Sequence, residues 1–213
     1  MAQKHSNPRN VFINCRFDPD WNANFEALVF AVIACGFKAR CAKELIDAAG
    51  TRIDKLYNII AESKFGIHDL SCVQLDADSG LPRFNMPLEL GFFLAAKQFG
   101  GVKHKSKHCI IFESEAYRYQ QFISDLNGMD IEAHGNDPLV MIEKVQGFLR
   151  SASDRKTIPT ARNVRLSYQS FLAARPELLA AADLGHNDLA YADFEQLAIE
   201  WVRNDDRLGS QAG

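Results

Sequence analysis

Five short apolar runs punctuate the first two thirds of the chain, at residues 11–15, 37–42, 65–71, 108–112 and, more weakly, 129–133. Turn residues bound them, and the runs are nearly continuous rather than alternating. That is the pattern of parallel strands covered on both faces. Between them, apolar residues recur at helical spacing. Phe25, Leu28, Val29, Val32 and Ile33 form one stripe over residues 25–34, with Asn22 or Asn24 as the cap and Gly36 as the stop. A second helix opens at Gly50 and Thr51, with Ile53, Leu56, Tyr57 and Ile60 on its inner face. Pro87 starts a third over residues 88–98, residues 117–126 read as a fourth, and Pro138 starts a fifth that runs to Leu149.

Strands alternating with helices predict an α/β fold: a flavodoxin-like open parallel sheet of about five strands with helices on both faces. After Thr160 the pattern changes. Residues 166–174, 177–182 and 190–202 read as helices with no strand between them. The expected organisation is a loosely held N-terminus over residues 1–9, the α/β domain over 10–155, and a C-terminal helical extension over 160–208. The extension carries Phe171, Phe194 and Trp201, so it has apolar surface to bury or to offer as an interface.

Open parallel sheets hold ligands outside the carboxyl ends of their strands. The first strand brings Asn14, Arg16, Phe17 and Asp18 there, the third brings His68, Asp69 and Ser71, and the third helix opens with Asn85 and Glu89. Glu89 is expected in that helix's first turn, where the positive end of the helix dipole favours the ionised form. A carboxylate so placed could sit beneath a sugar C1 as the glycosidic bond breaks, while Asp69 held ribose hydroxyls. Arg16 could grip a phosphate, and Phe17 and Trp21 could stack on a base. Plainer readings stand beside these. Glu89 could be an ordinary first-turn residue, Asp69 could bond its own following turn, and His68 could be structural. Arg16 could pair with Asp18 or Asp20, and Trp21 could lie as a lid on the first helix.

Composition narrows the field. The 213 residues carry 24 Lys+Arg against 27 Asp+Glu, a formal charge of -3, which gives no push toward nucleic acid or a membrane, although positive patches can exist locally. No run is long enough for a membrane helix, and the polar residues 1–9 do not read as a signal peptide. Cys15, Cys35, Cys41, Cys72 and Cys109 show no paired spacing and read as buried free thiols, so a cytoplasmic location is expected. Glycine-rich dinucleotide and P-loop fingerprints are absent. His104 and His108 are four apart, but Lys103, Lys105 and Lys107 oppose a metal there. The same Lys-rich turn could touch a phosphate or a partner, or be a solvated loop.

Three segments together, residues 11–18, 65–71 and 85–91, resemble bacterial TIR-like proteins and the related nucleoside 2-deoxyribosyltransferase superfamily, over about residues 10–150. The resemblance implies a catalytic Glu in a Glu-x-Gly run at a helix start, which Glu89-Leu90-Gly91 matches, and a sugar-binding Asp at the end of the preceding strand, which Asp69 matches. It implies cleavage of the N-glycosidic bond of NAD or a related nucleotide, with deoxyribosyl transfer between bases as one alternative and a non-enzymatic nucleotide-binding or assembly domain as another. A homo-oligomer is expected, through the C-terminal helices, with no cofactor and no metal. The transferase pattern carries Asp-x-Gly-Thr shortly before the Glu. Here Asp78 and Gly80 match in part, no Thr follows, and Arg83 and Phe84 bring a cation and an aromatic instead, which leaves room for a phosphorylated or dinucleotide ligand.

Overall fold

A computed structural model describes residues 7–44, 50–73, 75, 80–185 and 189–209. Strands β1 (Asn7–Asn14), β2 (Lys38–Arg40), β3 (Ser63–Asp69), β4 (His108–Glu113) and β5 (Ile131–Ala133) form one sheet in the order β2-β1-β3-β4-β5. Every pairing is parallel. The chain leaves β1 toward β2 and returns on the other side to β3, so the topological switch point lies between β1 and β3. This is the expected flavodoxin-like architecture.

Alternation along the central strands divides the core. Val11 and Ile13 of β1, with Phe65 and Ile67 of β3, face helices α1 (Asn22–Ala34) and α5 (Pro138–Ala152). Phe12 faces the opposite way, onto Leu56, Ile59 and Ile60 of α2 (Arg52–Glu62) and Phe93 of α3 (Asn85–Phe99). Gly66 permits that second contact, because a Cβ there would stand 3.0 Å from the Phe93 ring. A short helix, α4 (Val102–Lys105), joins α3 to β4.

The α1 helix exceeds the single stripe read from its sequence. Every residue from Asn24 to Ala34 is buried. A helix that is apolar all round needs cover on all sides, and the C-terminal helices α6 (Ala161–Ala181) and α7 (Tyr191–Asn204) supply it. Phe30 meets Tyr168 and Phe171 at 5.1 and 5.3 Å between ring centroids. The one carboxylate on this surface, buried Glu26, takes two bonds from Arg175 at 2.7 and 3.0 Å. Phe171 and Phe194 of the tail are therefore used within the chain, while Leu166 and Leu172 of α6 stay exposed.

Local departures have local causes. Residues 117–126 form two 3₁₀ turns (Arg118–Gln121 and Ser124–Leu126) instead of a helix, because Tyr117 is left-handed and Phe122 and Ile123 leave helical geometry. Segments 166–174 and 177–182 are one helix. Pro176 removes a single backbone bond, and buried Phe171 and Leu179 on either side hold the axis together. Neither Asn22 nor Asn24 caps α1. A 3₁₀ turn (Pro19–Trp21) leads straight into it, and the Asn22 amide instead donates to Glu26 at 2.8 Å. On α2 the inner face is Leu56, Ile59 and Ile60; Ile53 and Tyr57 are exposed. No helix among the described residues is long and apolar enough to cross a membrane.

If the tail belongs to the core, Phe171→Ala should lower stability in urea denaturation by about 3–5 kcal/mol. Phe99→Ala, at a residue 84% exposed, should change it by no more than about 0.5 kcal/mol. Equal, small losses would mean that α6 merely rests on the α/β domain.

Candidate functional site

The same alternation decides what meets at the carboxyl ends of the strands. His68 and Asp69 are neighbours in β3, so their side chains leave opposite faces of the sheet. His68 goes with Asn14 to the α2/α3 face, and Asp69 goes to the α1/α5 face. Glu89 and Asp69, expected to converge on one hollow, are thus separated: Glu89 lines a hollow between α2 and α3, and Asp69 lies on the other face of the sheet.

On the α2/α3 face, Asn14 and His68 are buried and out of a ligand's reach. The Asn14 amide donates to the Met86 carbonyl at 2.9 Å and to His68 Nδ1 at 3.1 Å, which tethers the end of β1 to the opening turn of α3. With Nδ1 accepting, the ring proton sits on Nε2, which has no partner among the described residues. The ring is enclosed by Phe12 and Phe93, at 5.7 and 5.0 Å. Burial, with Lys107 nearby, drops its pKa to about 3, so His68 stays neutral.

Glu89 departs from expectation in an informative way. The α3 helix begins at Asn85, because Pro87 fits within a first turn whose N–H groups have no helical partner. Glu89 therefore stands in the second turn, past the amides that would stabilise its charge. It is 6% exposed and lines a hollow of about 160 Å³ with Arg52, Ile53, Leu56, Asn85, Leu88 and Phe92. Burial against this largely apolar wall pushes its pKa up to about 7, with Arg52 opposing. The group is poised between acid and base near neutrality instead of being held ionised.

On the α1/α5 face, Asp69 turns back onto its own loop. It accepts from the Ser71 amide at 3.0 Å and the Ser71 hydroxyl at 2.5 Å. His134 approaches from beyond β5, with Nε2 at 2.8 Å from Ser71 Oγ and 3.4 Å from Asp69. The Asn136 amide donates to His134 Nδ1 at 2.9 Å, so Nε2 bears the proton of the neutral ring. Protons then run from His134 to Ser71 and from Ser71 to Asp69. That order leaves Ser71 no imidazole to take its proton, only the weakly basic Asp69 carboxylate, and makes it a poor nucleophile.

Beside this cluster lies a cavity of about 540 Å³, lined by Arg16, Asp20, Trp21, Asn24, Ser71 and Cys72 among others. Its volume is within the range of small-molecule sites. Arg16 pairs with Asp20, approaches Cys72 Sγ at 3.7 Å and lies 4.8 Å over the Trp21 ring. Trp21 Nε1 and Asn24 Oδ1 are buried and have no partner among the described residues. Phe17 packs edge-on against Phe25 at 5.1 Å, at the margin of the core. Arg83 reaches Asp18 at 2.6 Å, linking the loop before α3 to the loop after β1. Exposed Asn85 borders the Glu89 hollow. Asp78, His5 and His186 lie outside the described residues.

The two hollows have no lining residue in common. They nevertheless flank one strand end. The buried Cys15 thiol is pushed well above its ordinary pKa first by burial, and also by the charges of Asp69, Cys41 and Glu89. Sequence reasoning missed Arg52, Glu113, Arg118 and His134. Buried Glu113 ends β4 and accepts from Arg118 at 2.6 Å, and Arg118 also holds the Ser71 carbonyl at 2.6 Å. Glu113-Ser114 and His134-Gly135-Asn136 are polar groups just past short apolar runs, the signal that singled out His68 and Asp69. Among the described residues no group of three His, Cys, Asp or Glu could hold a metal ion. No family model, curated protein or solved structure matches the chain.

The raised pKa of Glu89 has a consequence for stability. The folded protein binds a proton there between the ordinary value of 4.5 and about 7. This contribution is complete below the lower value and is lost as pH rises through the upper one. Glu89→Gln should therefore be more stable than the parent above neutrality, by on the order of 2 kcal/mol, and the two should converge in acid. Urea titrations across pH check this; a constant gap would show that Glu89 titrates normally.

Proposed function

We propose that the chain cleaves the N-glycosidic bond of NAD or a related nucleotide, with Glu89 as the carboxyl group beneath the sugar C1. The observation that carries this reading is a desolvated carboxyl group, pKa about 7, in the wall of a sugar-sized hollow beside the opening turns of α2 and α3. Ionised Glu89 is costly in the free protein, and a positive charge placed beside it offsets that cost. The pyridinium of NAD brings such a charge, and the ribosyl cation formed as the bond breaks keeps it next to C1. The C1–N bonding pair leaves on nicotinamide, which departs neutral and needs no acid. Water adds to C1 and gives up its proton. Asn85 and Arg52 border the hollow and are the groups suited to ribose hydroxyls, whereas the Asp69 carboxylate is engaged by Ser71.

A second reading, nucleotide binding without turnover, draws on the larger cavity on the α1/α5 face, where Trp21 Nε1 and Asn24 Oδ1 have no partner among the described residues. Deoxyribosyl transfer differs from both in requiring an acceptor base.

Incubation with NAD over a range of protein concentrations, with nicotinamide followed by chromatography, separates these readings. Release is expected. Its kcat/KM should rise with pH as Glu89 ionises through about 7, and Glu89→Gln should reduce it by at least about a hundredfold. Undiminished release in the variant would remove Glu89 from the reaction. NAD binding with no release at any concentration would favour the second reading, and base exchange on deoxynucleosides would favour the third.

A further inference from the structure

At the opposite edge of the sheet, before β4 begins, the α3–α4 turn exposes Phe99 and Val102, which are 84% and 92% accessible. Gly100 makes the turn possible, because a Cβ there would stand 2.3 Å from the Ala96 carbonyl oxygen and 2.8 Å from His104. The turn is braced: Lys105 donates to the Gln98 carbonyl, and Ser106 donates to the Lys103 carbonyl at 3.4 Å. The two apolar side chains are thus held outward by a fixed backbone.

Cations surround them. Lys97, Lys103 and Lys105 are exposed on the turn, and Lys64 adds to the field from the start of β3. No Asp or Glu occurs between Glu89 and Glu113 in a chain whose formal charge is -3. Besides burial, the groups lowering the pKa of His104 are Lys107 and Lys103, and those lowering His108 are Lys97 and Lys64. Carboxylates reach this edge at its flanks. Glu62 is tied to Arg40 at 3.0 Å, and Asp130 and Glu132 lie toward β5, with Glu132 paired to Lys144.

We infer that this turn docks on an anionic lipid surface, with Phe99 and Val102 entering the interfacial layer and Lys97, Lys103 and Lys105 meeting the headgroups. A bilayer offers both chemistries in the needed order, negative charge outside and apolar matter beneath. A nucleic acid or an acidic protein face would satisfy the lysines and leave the Val102 side chain with little to gain. Docking by this edge leaves the Glu89 hollow, at the far edge, open to solvent, so the inference does not rest on the proposed reaction.

Flotation of the full chain with phosphatidylcholine vesicles, with and without phosphatidylserine, tests it. Binding should require phosphatidylserine and fall with added salt. Phe99→Ser with Val102→Ser should weaken it at least tenfold. Lys97→Gln with Lys103→Gln should weaken it roughly twenty-five-fold, from about fivefold per lysine. All four side chains are exposed, so the thermal midpoint should not move, which separates lost docking from lost fold. Absence of binding to phosphatidylserine vesicles, binding that survives the Phe99/Val102 change, or a preference for RNA over vesicles would each overturn the inference.

Discussion

Two central strands, β1 and β3, are covered on both faces, and their side chains must leave alternately to one side and the other. Most of the molecule follows from that constraint. It sends Val11, Ile13, Phe65 and Ile67 toward α1 and α5, and Phe12 toward α2 and α3. It also separates His68 from Asp69 at the end of β3. The edge that could hold a ligand is thus two half-sites, one on each side of the sheet, both within electrostatic reach of buried Cys15.

The α1 helix carries the next consequence. Its apolar surface exceeds what β1 and α5 can cover, so the chain continues into α6 and α7. Burying Glu26 there carries a desolvation cost, which the Arg175 guanidinium offsets with paired hydrogen bonds. The tail is best understood as the outer layer of the core on this face. Because α1 begins beside the larger cavity, with Trp21 and Asn24 in its wall, the same packing fixes that wall in place.

Much of the fold was legible in the sequence, because continuous apolar runs bounded by turn residues are a strong signal for parallel strands. All five strands were found, although β1 starts at Asn7, within the stretch expected to be loosely held, and the switch to helices after Thr160 was read as well. What escaped was tertiary. An apolar helix lacks a polar side to show how much cover it needs, so α1 read as one stripe. Pro87 read as a helix start, though a first turn admits proline at a later position. That shift of the start to Asn85 carried Glu89 from the first turn into the second and reversed its expected electrostatics, from dipole-stabilised to desolvated. The site residues were found by proximity to strand ends, and that rule does not say which face each one leaves by. Counting alternation through Phe65, Gly66, Ile67, His68 and Asp69 would have said so.

The chemical account comes down to the state of one carboxyl group. Its neighbours Leu56, Leu88 and Phe92 withhold water, and Arg52 returns only part of the lost solvation. Such a group is indifferent to neutral ligands and responsive to a cation set beside it. Difference infrared spectroscopy, parent minus Glu89→Gln, reads its ionisation directly. The account predicts a carboxyl band that titrates near pH 7 in the free protein and becomes fully ionised at that pH when a ribosyl pyridinium binds. A midpoint in the ordinary carboxylate range, unmoved by that ligand, would contradict it.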